Sequence, residues 1–330
     1  MKDIIFLVFS LGIILVGAEI FTNGVEWLGK RLKLGEGAVG SILAAVGTAL
    51  PETLVPVIAI LFPRGTDGHE VGIGAILGAP FMLGTLAFFV VGLTAISFRR
   101  TNKPMYINPR IILRDLRFFM LVYFLAILAS FLPSYSIKLL VSVILVGAYL
   151  LYALQTIKSS QGEINAYEEL SPCYFARGSR RPPLRVIYIQ IIVALLIIVL
   201  GAEIFVGSVQ TVALALGVPV FVLALIITPV ATELPEKFNS IIWVRKGKDT
   251  LALGNITGAM VFQSSIIPAL GIALTPWKLE PLALASALLA LVSVGVQYYC
   301  LIKNKTLFPA GLLLGGVFYA VFIVLVVIGS

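Results

Sequence analysis

The sequence predicts an all-α membrane protein with ten transmembrane helices, arranged as two inverted repeats of five. Three observations predict this fold class. The 330 residues are 59% hydrophobic and 12% charged, with a mean hydropathy of +1.06, whereas soluble domains carry about 25% charged residues. Apolar runs of membrane-crossing length recur along the whole chain. Short polar motifs of the first half also recur in the second half.

Ten apolar segments are long enough to cross a bilayer, which requires about 20 residues of helix. Segment 158–185 is the longest polar stretch, and it is too short to form a domain. We therefore predict a first five-helix repeat at 1–157, a linker at 158–185 and a second five-helix repeat at 186–330. The predicted spans are 3–26, 35–62, 70–98, 116–133, 136–157, 186–208, 217–244, 250–274, 279–302 and 307–329.

Positive charge is distributed unevenly between the two sides of this topology. Of the 24 Lys and Arg residues, 19 lie in or next to the alternate loops that include the linker, 4 lie on the opposite side, and Lys237 lies within a span. Because basic residues are enriched in cytoplasmic loops, we expect a cytoplasmic linker and extracytoplasmic termini in a multi-pass protein of the cell membrane. The net charge of +8 is then an orientation signal. The expected partners are the lipid bilayer and small inorganic cations rather than nucleic acid, and the oligomeric state is not indicated.

The two halves share polar motifs at nearly constant spacing. The first two motif pairs are separated by 184 residues and the third pair by 180. Because each half contains an odd number of spans, the second copy is inserted upside down relative to the first. Inverted repeats are typical of secondary transporters, whose sites lie near the membrane midplane. The corresponding segments are 16–24 with 200–208, 46–54 with 230–238, and 74–81 with 254–261.

Each half carries a Leu-Pro-Glu sequence inside its second span. Proline in a helix removes one backbone hydrogen bond and displaces the carbonyl group four residues earlier. Pro51 and Pro235 are therefore expected to free the carbonyl groups of Gly47 and Ala231. Carbonyl groups freed at membrane depth require partners, and a bound cation is one such partner. A charged side chain in a span is itself costly and marks a functional site by default.

Hydroxyl and carboxylate groups lie beside both prolines. Thr48 and Glu52 are four residues apart, as are Thr232 and Glu236, so each pair shares one face of a helix. If the two sets face each other, they form an all-oxygen site suited to a hard cation such as Ca²⁺ or Na⁺. The alternative is that the prolines are ordinary kinks and the glutamates form structural pairs.

These motifs resemble those of the sodium/calcium exchanger family, within the calcium/cation antiporter superfamily. The resemblance spans the whole chain and is that of a divergent prokaryotic-type member. The second helix of each half carries G-T-S-L-P-E in that family, and this sequence has G-T-A-L-P-E at 47–52 and A-T-E-L-P-E at 231–236. The resemblance implies ten helices in two inverted halves, with Glu52 and Glu236 as the acids of a midplane cation site.

The second motif of that family, G-N-x-x-G-S-N-I-F-N/D, is poorly kept. Ala79 and Leu83 stand where the family has its coordinating Ser and Asn, and Ala259 and Gln263 stand where it has Ser and Asp. The family's usual set of one calcium and several sodium positions is therefore not carried over whole, and we expect fewer bound cations. The ligands that remain are Thr48, Glu52, Thr232 and Glu236, with Gln263 as a neutral oxygen donor.

Glu233 is an acid that the family pattern does not contain. It replaces a serine and lies three residues before Glu236, hence on a neighbouring position of the helix surface. We expect Glu233 to supply the acid that is missing at Gln263. The alternative is that Glu233 only attracts cations at the mouth of a cavity. Lys237 either points to lipid or pairs with an acid, and both roles stay open.

The leading hypothesis is a secondary active cation antiporter that exchanges Ca²⁺, or a similar cation, for Na⁺ by alternating access. A proton-coupled cation/H⁺ exchanger is the alternative, because protons compete with cations for crowded carboxylates. No cofactor is expected beyond the transported cations. An enzyme is not expected, because His69 is the only histidine and no metalloprotease or nucleophile motif is present. A channel fits inverted repeats less well than a transporter does. For Glu19 and Glu203 two roles stay open, either lining ion routes or forming structural pairs.

Overall fold

The computed structural model describes residues 2–32, 50–63, 68–99, 103–160, 171–179 and 181–329. All regular structure in these ranges is helical. Only the helical backbone is described for residues 2, 50–51, 157, 159–160, 231, 234–239 and 329. The helices are α1 (Lys2–Arg31), α2 (Leu50–Leu61), α3 (Gly68–Arg99), α4 (Pro109–Ser130), α5 (Tyr135–Ser160), α6 (Leu184–Leu216), α7 (Val220–Arg245), α8 (Asp249–Leu274), α9 (Pro281–Asn304) and α10 (Pro309–Ile328).

Most of the described helices have the length and composition of membrane spans. Seven of those described are long and apolar enough to cross a bilayer, namely α1, α3, α5, α6, α8, α9 and α10. Shorter apolar segments lie at Glu52–Leu61 in α2 and Val220–Val230 in α7. The prediction of an all-helical membrane protein is confirmed. The count of ten spans stays a prediction, because residues 35–49 of the second predicted span lie outside the described residues.

Helix α4 begins at Pro109 rather than at residue 116, where its apolar run begins. The Asn108 side chain accepts a hydrogen bond from the Arg110 backbone N–H at 3.1 Å, and Pro109 occupies the first helical position. Both features favour a helix start. The charged residues before the apolar run therefore form the first turns of the same helix.

Helices α1 and α6 pack against each other antiparallel and in close contact. A Cβ atom added to Gly17 would lie 2.8 Å from Ile198 and 3.1 Å from Ile197, and one added to Gly201 would lie 2.9 Å from Ile14 and 3.0 Å from Ile13. With 30 and 33 residues, the two helices are roughly 45–50 Å long. They therefore exceed a hydrocarbon core of about 30 Å, and they must tilt across the bilayer or project from it.

Helices α2, α3, α7 and α8 form an inner bundle in which every pair is in contact. The α3–α7 contact is very close, because a Cβ atom added to Gly78 would lie 2.3 Å from the Leu225 carbonyl oxygen and 2.7 Å from Pro229 Cγ. Pro229 has no N–H to donate to Leu225, four residues earlier. Glycine at position 78 lets the α3 backbone approach this freed carbonyl group.

Helices α4, α5, α9 and α10 surround one side of the inner bundle. A buried carboxylate, Asp115 on α4, joins this outer layer to α8. It accepts hydrogen bonds from Thr257 Oγ1 of α8 at 2.8 Å, from the Tyr152 hydroxyl of α5 at 2.9 Å and from Arg114 Nε at 3.0 Å. Because the charge and its hydrogen-bonding capacity are satisfied from three helices, Asp115 fixes the position of α8.

Candidate cation site

The predicted site residues lie on the helices of the inner bundle. Glu52 is in the first turn of the described α2, Thr232 and Glu233 lie on α7, and Gln263 lies on α8. These three helices and α3 all contact one another, so the described candidate residues lie on helices of one bundle, and the meeting of the two Leu-Pro-Glu segments stays a prediction.

Both described acids of the site are buried inside the protein. Glu52 is 5% exposed and Glu233 is 1% exposed, while Thr232 and Gln263 are 6% and 3% exposed. Acidic side chains are almost never fully buried unless they are paired or bind a cation. The alternative, in which Glu233 only attracts cations at the mouth of a cavity, stays open alongside the binding role.

Neutral oxygen atoms are also buried on α7 and α8. The Thr232 hydroxyl donates to the Thr228 carbonyl group at 3.1 Å, so its lone pairs remain available to a ligand. Thr228 Oγ1 and Gln263 Oε1 are buried and lack a hydrogen-bond partner among the described residues. Thr228 was not among the predicted ligands. Its position four residues before Thr232, on the same helix face, was the signal that could have identified it.

On α3, the two positions that correspond to the family's second motif carry no oxygen ligand. Ala79 and Leu83 are buried and have apolar side chains. On α8, Ser264 and Ser265 donate their hydroxyl hydrogens to the Val261 carbonyl oxygen of their own helix, at 3.2 and 2.5 Å. The described candidate ligands therefore lie on α2, α7 and α8, with none at the two motif positions of α3.

The prolines of α7 do not interrupt its helical backbone. The helix runs from Val220 to Arg245 through Pro229 and Pro235. A proline removes one hydrogen bond, yet the remaining bonds and the packing against α3 keep the segment helical. The loosening expected of this segment is thus limited to single carbonyl groups. In the first half, Pro51 stands at the second position of the described α2, and Gly47 lies outside the described residues.

Three predicted positions cannot be located at the level of side chains. Thr48 lies outside the described residues, and for Glu236 and Lys237 only the helical backbone is described. Groups of three or more His, Cys, Asp or Glu able to hold a metal are absent from the described part of the chain.

Glu19 is exposed on α1 and accepts a hydrogen bond from the Tyr174 hydroxyl at 2.5 Å, which favours its structural role.

The sequence as a whole matches one family of membrane proteins. The profile of the family described as sodium/calcium exchanger protein matches residues 2–158 and 186–329. The chain belongs to the sodium/calcium exchanger family. It is therefore a cation antiporter of the membrane, and the resemblance inferred from its motifs is confirmed.

Individual relatives of this exchanger agree in length and fold. Inner membrane protein YrbG of Escherichia coli is 25% identical over 284 residues, which cover 85% of this chain and 83% of YrbG. The crystal structure of the H⁺/Ca²⁺ exchanger CAX superposes with a TM-score of 0.72 at 14% identity, covering 98% of this chain and 82% of CAX. The sodium-calcium exchanger NCX_Mj superposes with a TM-score of 0.58 at 20% identity, covering 98% of both chains. At these identities the structural likeness shows the shared fold.

Proposed function

We propose that this exchanger moves Ca²⁺, or a similar hard cation, against Na⁺ by alternating access around a carboxylate site in the inner bundle. The observation that carries the proposal is the burial of two acidic side chains, Glu52 on α2 and Glu233 on α7. The helices α2 and α7 contact each other. Carboxylate, hydroxyl and carbonyl oxygens are the ligands that Ca²⁺ prefers. Charged groups inside a membrane protein mark ion pathways.

In this proposal, Glu52 and Glu236 are the acids contributed by the two repeats, and Glu233 replaces the acid missing at position 263. Gln263 supplies a neutral oxygen, which agrees with its buried Oε1 atom. Thr48 and Thr232 supply hydroxyl or carbonyl oxygens. Because Ala79 and Leu83 cannot coordinate a cation, we propose fewer bound cations per cycle than the family's usual set.

We further propose that ten helices form two inverted halves, 1–157 and 186–330, joined by the cytoplasmic linker 158–185. The contacts of α1 with α6 support the inversion. Adding the repeat offset of 184 to Gly17, Ile13 and Ile14 gives residues 201, 197 and 198. The contact of Gly17 with Ile197 and Ile198 is thereby matched by the contact of Gly201 with Ile13 and Ile14. Antiparallel helices with exchanged contacts are expected from a two-fold axis in the membrane plane.

The proposal also includes an orientation for the chain. The bias of 19 basic residues to 4 supports a cytoplasmic linker and extracytoplasmic termini in the cell membrane. Small inorganic cations are the proposed substrates, and catalytic chemistry on them is not part of the proposal.

The test is Ca²⁺ uptake by proteoliposomes under an outward Na⁺ gradient and, separately, under a pH gradient. We expect the Na⁺ gradient to drive uptake. Glu52→Gln and Glu236→Gln should each abolish it while the protein stays folded, and Glu280→Gln, at an exposed position, is the matched control. Uptake driven by the pH gradient alone would establish the proton-coupled alternative. Ca²⁺ uptake that persists in the Glu52→Gln variant would contradict the proposed site.

A further inference from the structure

The described part of the linker is docked onto α1 and α6. Residues Ser171–Ala176, which we term the linker clasp, end in a 3₁₀ turn at Tyr174–Ala176. The clasp lies over the last third of α1 and the start of α6, at the ends that the topology assigns to the cytoplasm. It belongs to the segment that the sequence presents only as a polar connection between the two halves.

Gln190 of α6 is the centre of the polar contacts. Its amide nitrogen donates to the Ile20 carbonyl oxygen at 2.9 Å and to Asn23 Oδ1 at 3.0 Å, both on α1. Its amide oxygen accepts from the Phe175 backbone N–H at 3.0 Å and from Cys173 Sγ at 3.2 Å, both in the clasp. A fully buried side chain, Gln190, thus bonds to both helical and linker partners at once.

Asn23 of α1 completes the connection from the other side. Its oxygen accepts from the Tyr174 backbone N–H at 3.2 Å, and its nitrogen donates to the Ser171 carbonyl oxygen at 3.3 Å. Trp27, one turn further along α1, donates to the same Ser171 carbonyl oxygen at 3.0 Å. Five residues of the clasp, 171–175, are therefore bonded to α1 and α6 through buried side chains, and the connection does not depend on surface charge.

An apolar contact reinforces the polar contacts. The Cys173 side chain is fully buried between Trp27 of α1 and Ile187 of α6. At the exposed edge, the Tyr174 hydroxyl donates to Glu19, and this hydrogen bond raises the pKa of Tyr174. Gly24 permits the approach, because a Cβ atom there would lie 2.9 Å from Ile191 and 3.3 Å from the Gln190 amide nitrogen.

We propose that the linker clasp holds the cytoplasmic ends of α1 and α6 at a fixed separation throughout exchange, with Asn23 and Gln190 as positioning residues. The proposal rests on the proposed alternating-access function, in which helices move relative to one another. α1 and α6 contact α2 and α7 of the inner bundle, so a change in their separation would alter the surroundings of the site. The clasp prevents this change in the separation of α1 and α6.

The first test uses Cys173 as a reporter of docking in a Cys300→Ser background. N-Ethylmaleimide should label Cys173 slowly, with and without Na⁺ and Ca²⁺. Gln190→Ala should increase the labelling rate by about 100-fold or more, because the local opening that exposes the thiol is no longer opposed. The matched control is Gln210→Ala on the same helix, which should leave Cys173 protected. Fast labelling of the unmodified protein, or protection that survives in Gln190→Ala, would show that the clasp does not depend on Gln190.

The second test joins the helices covalently. Gly24→Cys and Ile191→Cys introduce thiols at positions whose side-chain atoms lie close enough for a disulfide, in a Cys173→Ser, Cys300→Ser background. Because Gly24→Cys and Cys173→Ser themselves alter the clasp, the reduced form of this background is its own reference, and we expect that oxidation does not lower its transport. Adding Gln190→Ala should lower transport of the reduced form about tenfold, since four hydrogen bonds are lost, and oxidation should restore it.

Three results would overturn the proposal. A disulfide that arrests transport would mean that α1 and α6 must move apart. Full transport in the reduced Gln190→Ala protein would mean that the clasp has no positioning role. A disulfide that fails to form would mean that the helices do not pack as described. Labelling and cross-linking are measured without transport, so failure of the carboxylate site in Glu52→Gln is distinguishable from failure of the clasp.

Discussion

The contact of Gly78 with α7 yields a quantitative prediction for Gly78→Ala. The added Cβ atom would lie 2.3 Å from the Leu225 carbonyl oxygen, whereas ordinary contacts begin at 3.4 Å. The obstacle is backbone and cannot rotate away, so α3 and α7 must separate locally by about 1 Å. Forcing extra volume into a packed interior lowers the free energy of unfolding by about 1–3 kcal/mol. Replacing Gly by Ala within a helix raises it by up to about 1 kcal/mol, which offsets part of this loss.

The larger effect of Gly78→Ala is expected on transport. Thr232 and Glu233 follow Pro229 within about one turn of α7, so a displacement of α7 at Pro229 moves two proposed ligands. A misplacement of about 1 Å in an active site can cost about 100-fold in rate, and we expect a loss of about 10- to 100-fold here. The measurement is Ca²⁺ uptake by proteoliposomes, together with thermal unfolding followed by tryptophan fluorescence.

The matched control is Gly147→Ala in the middle of α5, where an added Cβ atom meets nothing within 4 Å. This variant should transport normally and unfold at the same temperature or slightly higher. If Gly78→Ala behaves like Gly147→Ala in both measurements, the α3–α7 contact does not position the site.

Three further outcomes are expected. Glu233→Ser should impair transport and Gln263→Asp should partly restore it, whereas an acid that only attracts cations would give a small loss of affinity and no rescue. Transport should fall as the pH is lowered, because protons compete with the cation for the carboxylates, and a rate that rises on acidification would contradict this. Asp115→Asn should lower stability by about 1–3 kcal/mol, because it weakens the bonds from Thr257 and Tyr152. Equal unfolding temperatures for Asp115→Asn and the unmodified protein would show that this network does not hold α8.

The helical membrane fold could be predicted because each span satisfies its own backbone hydrogen bonds and therefore leaves a local hydropathy signal. The Leu-Pro-Glu motif identified Glu52 for a similar reason: a carboxylate within an apolar span requires an explanation, and the side chain is indeed buried. The start of α4 was less visible, because its first turns carry the charges that usually mark a loop. Thr228 resembles any threonine of an apolar helix, and only the three-dimensional surroundings of its hydroxyl distinguish it.

The docking of the linker could not be predicted from local pattern. Its hydrogen bonds join residues that are 148 and 144 positions apart, as from Asn23 and Trp27 to Ser171. Polar loops that dock onto helices and polar loops that stay undocked can have the same composition. The side chain of Glu236 lies outside the described residues, so its convergence with Glu52 stays a prediction.

The pairing of α1 with α6 also has a consequence for how the chain is made. Asn23 and Gln190 are separated by 167 residues, which a ribosome adds in roughly 10–30 s. During that interval α1 is already synthesised, while the helix that covers its glycine-lined face does not yet exist. Asn23 must be tolerated by lipid, water or the insertion machinery until α6 emerges. Biogenesis of the protein therefore includes an intermediate that lasts for this interval, in which α1 is exposed to membrane quality control.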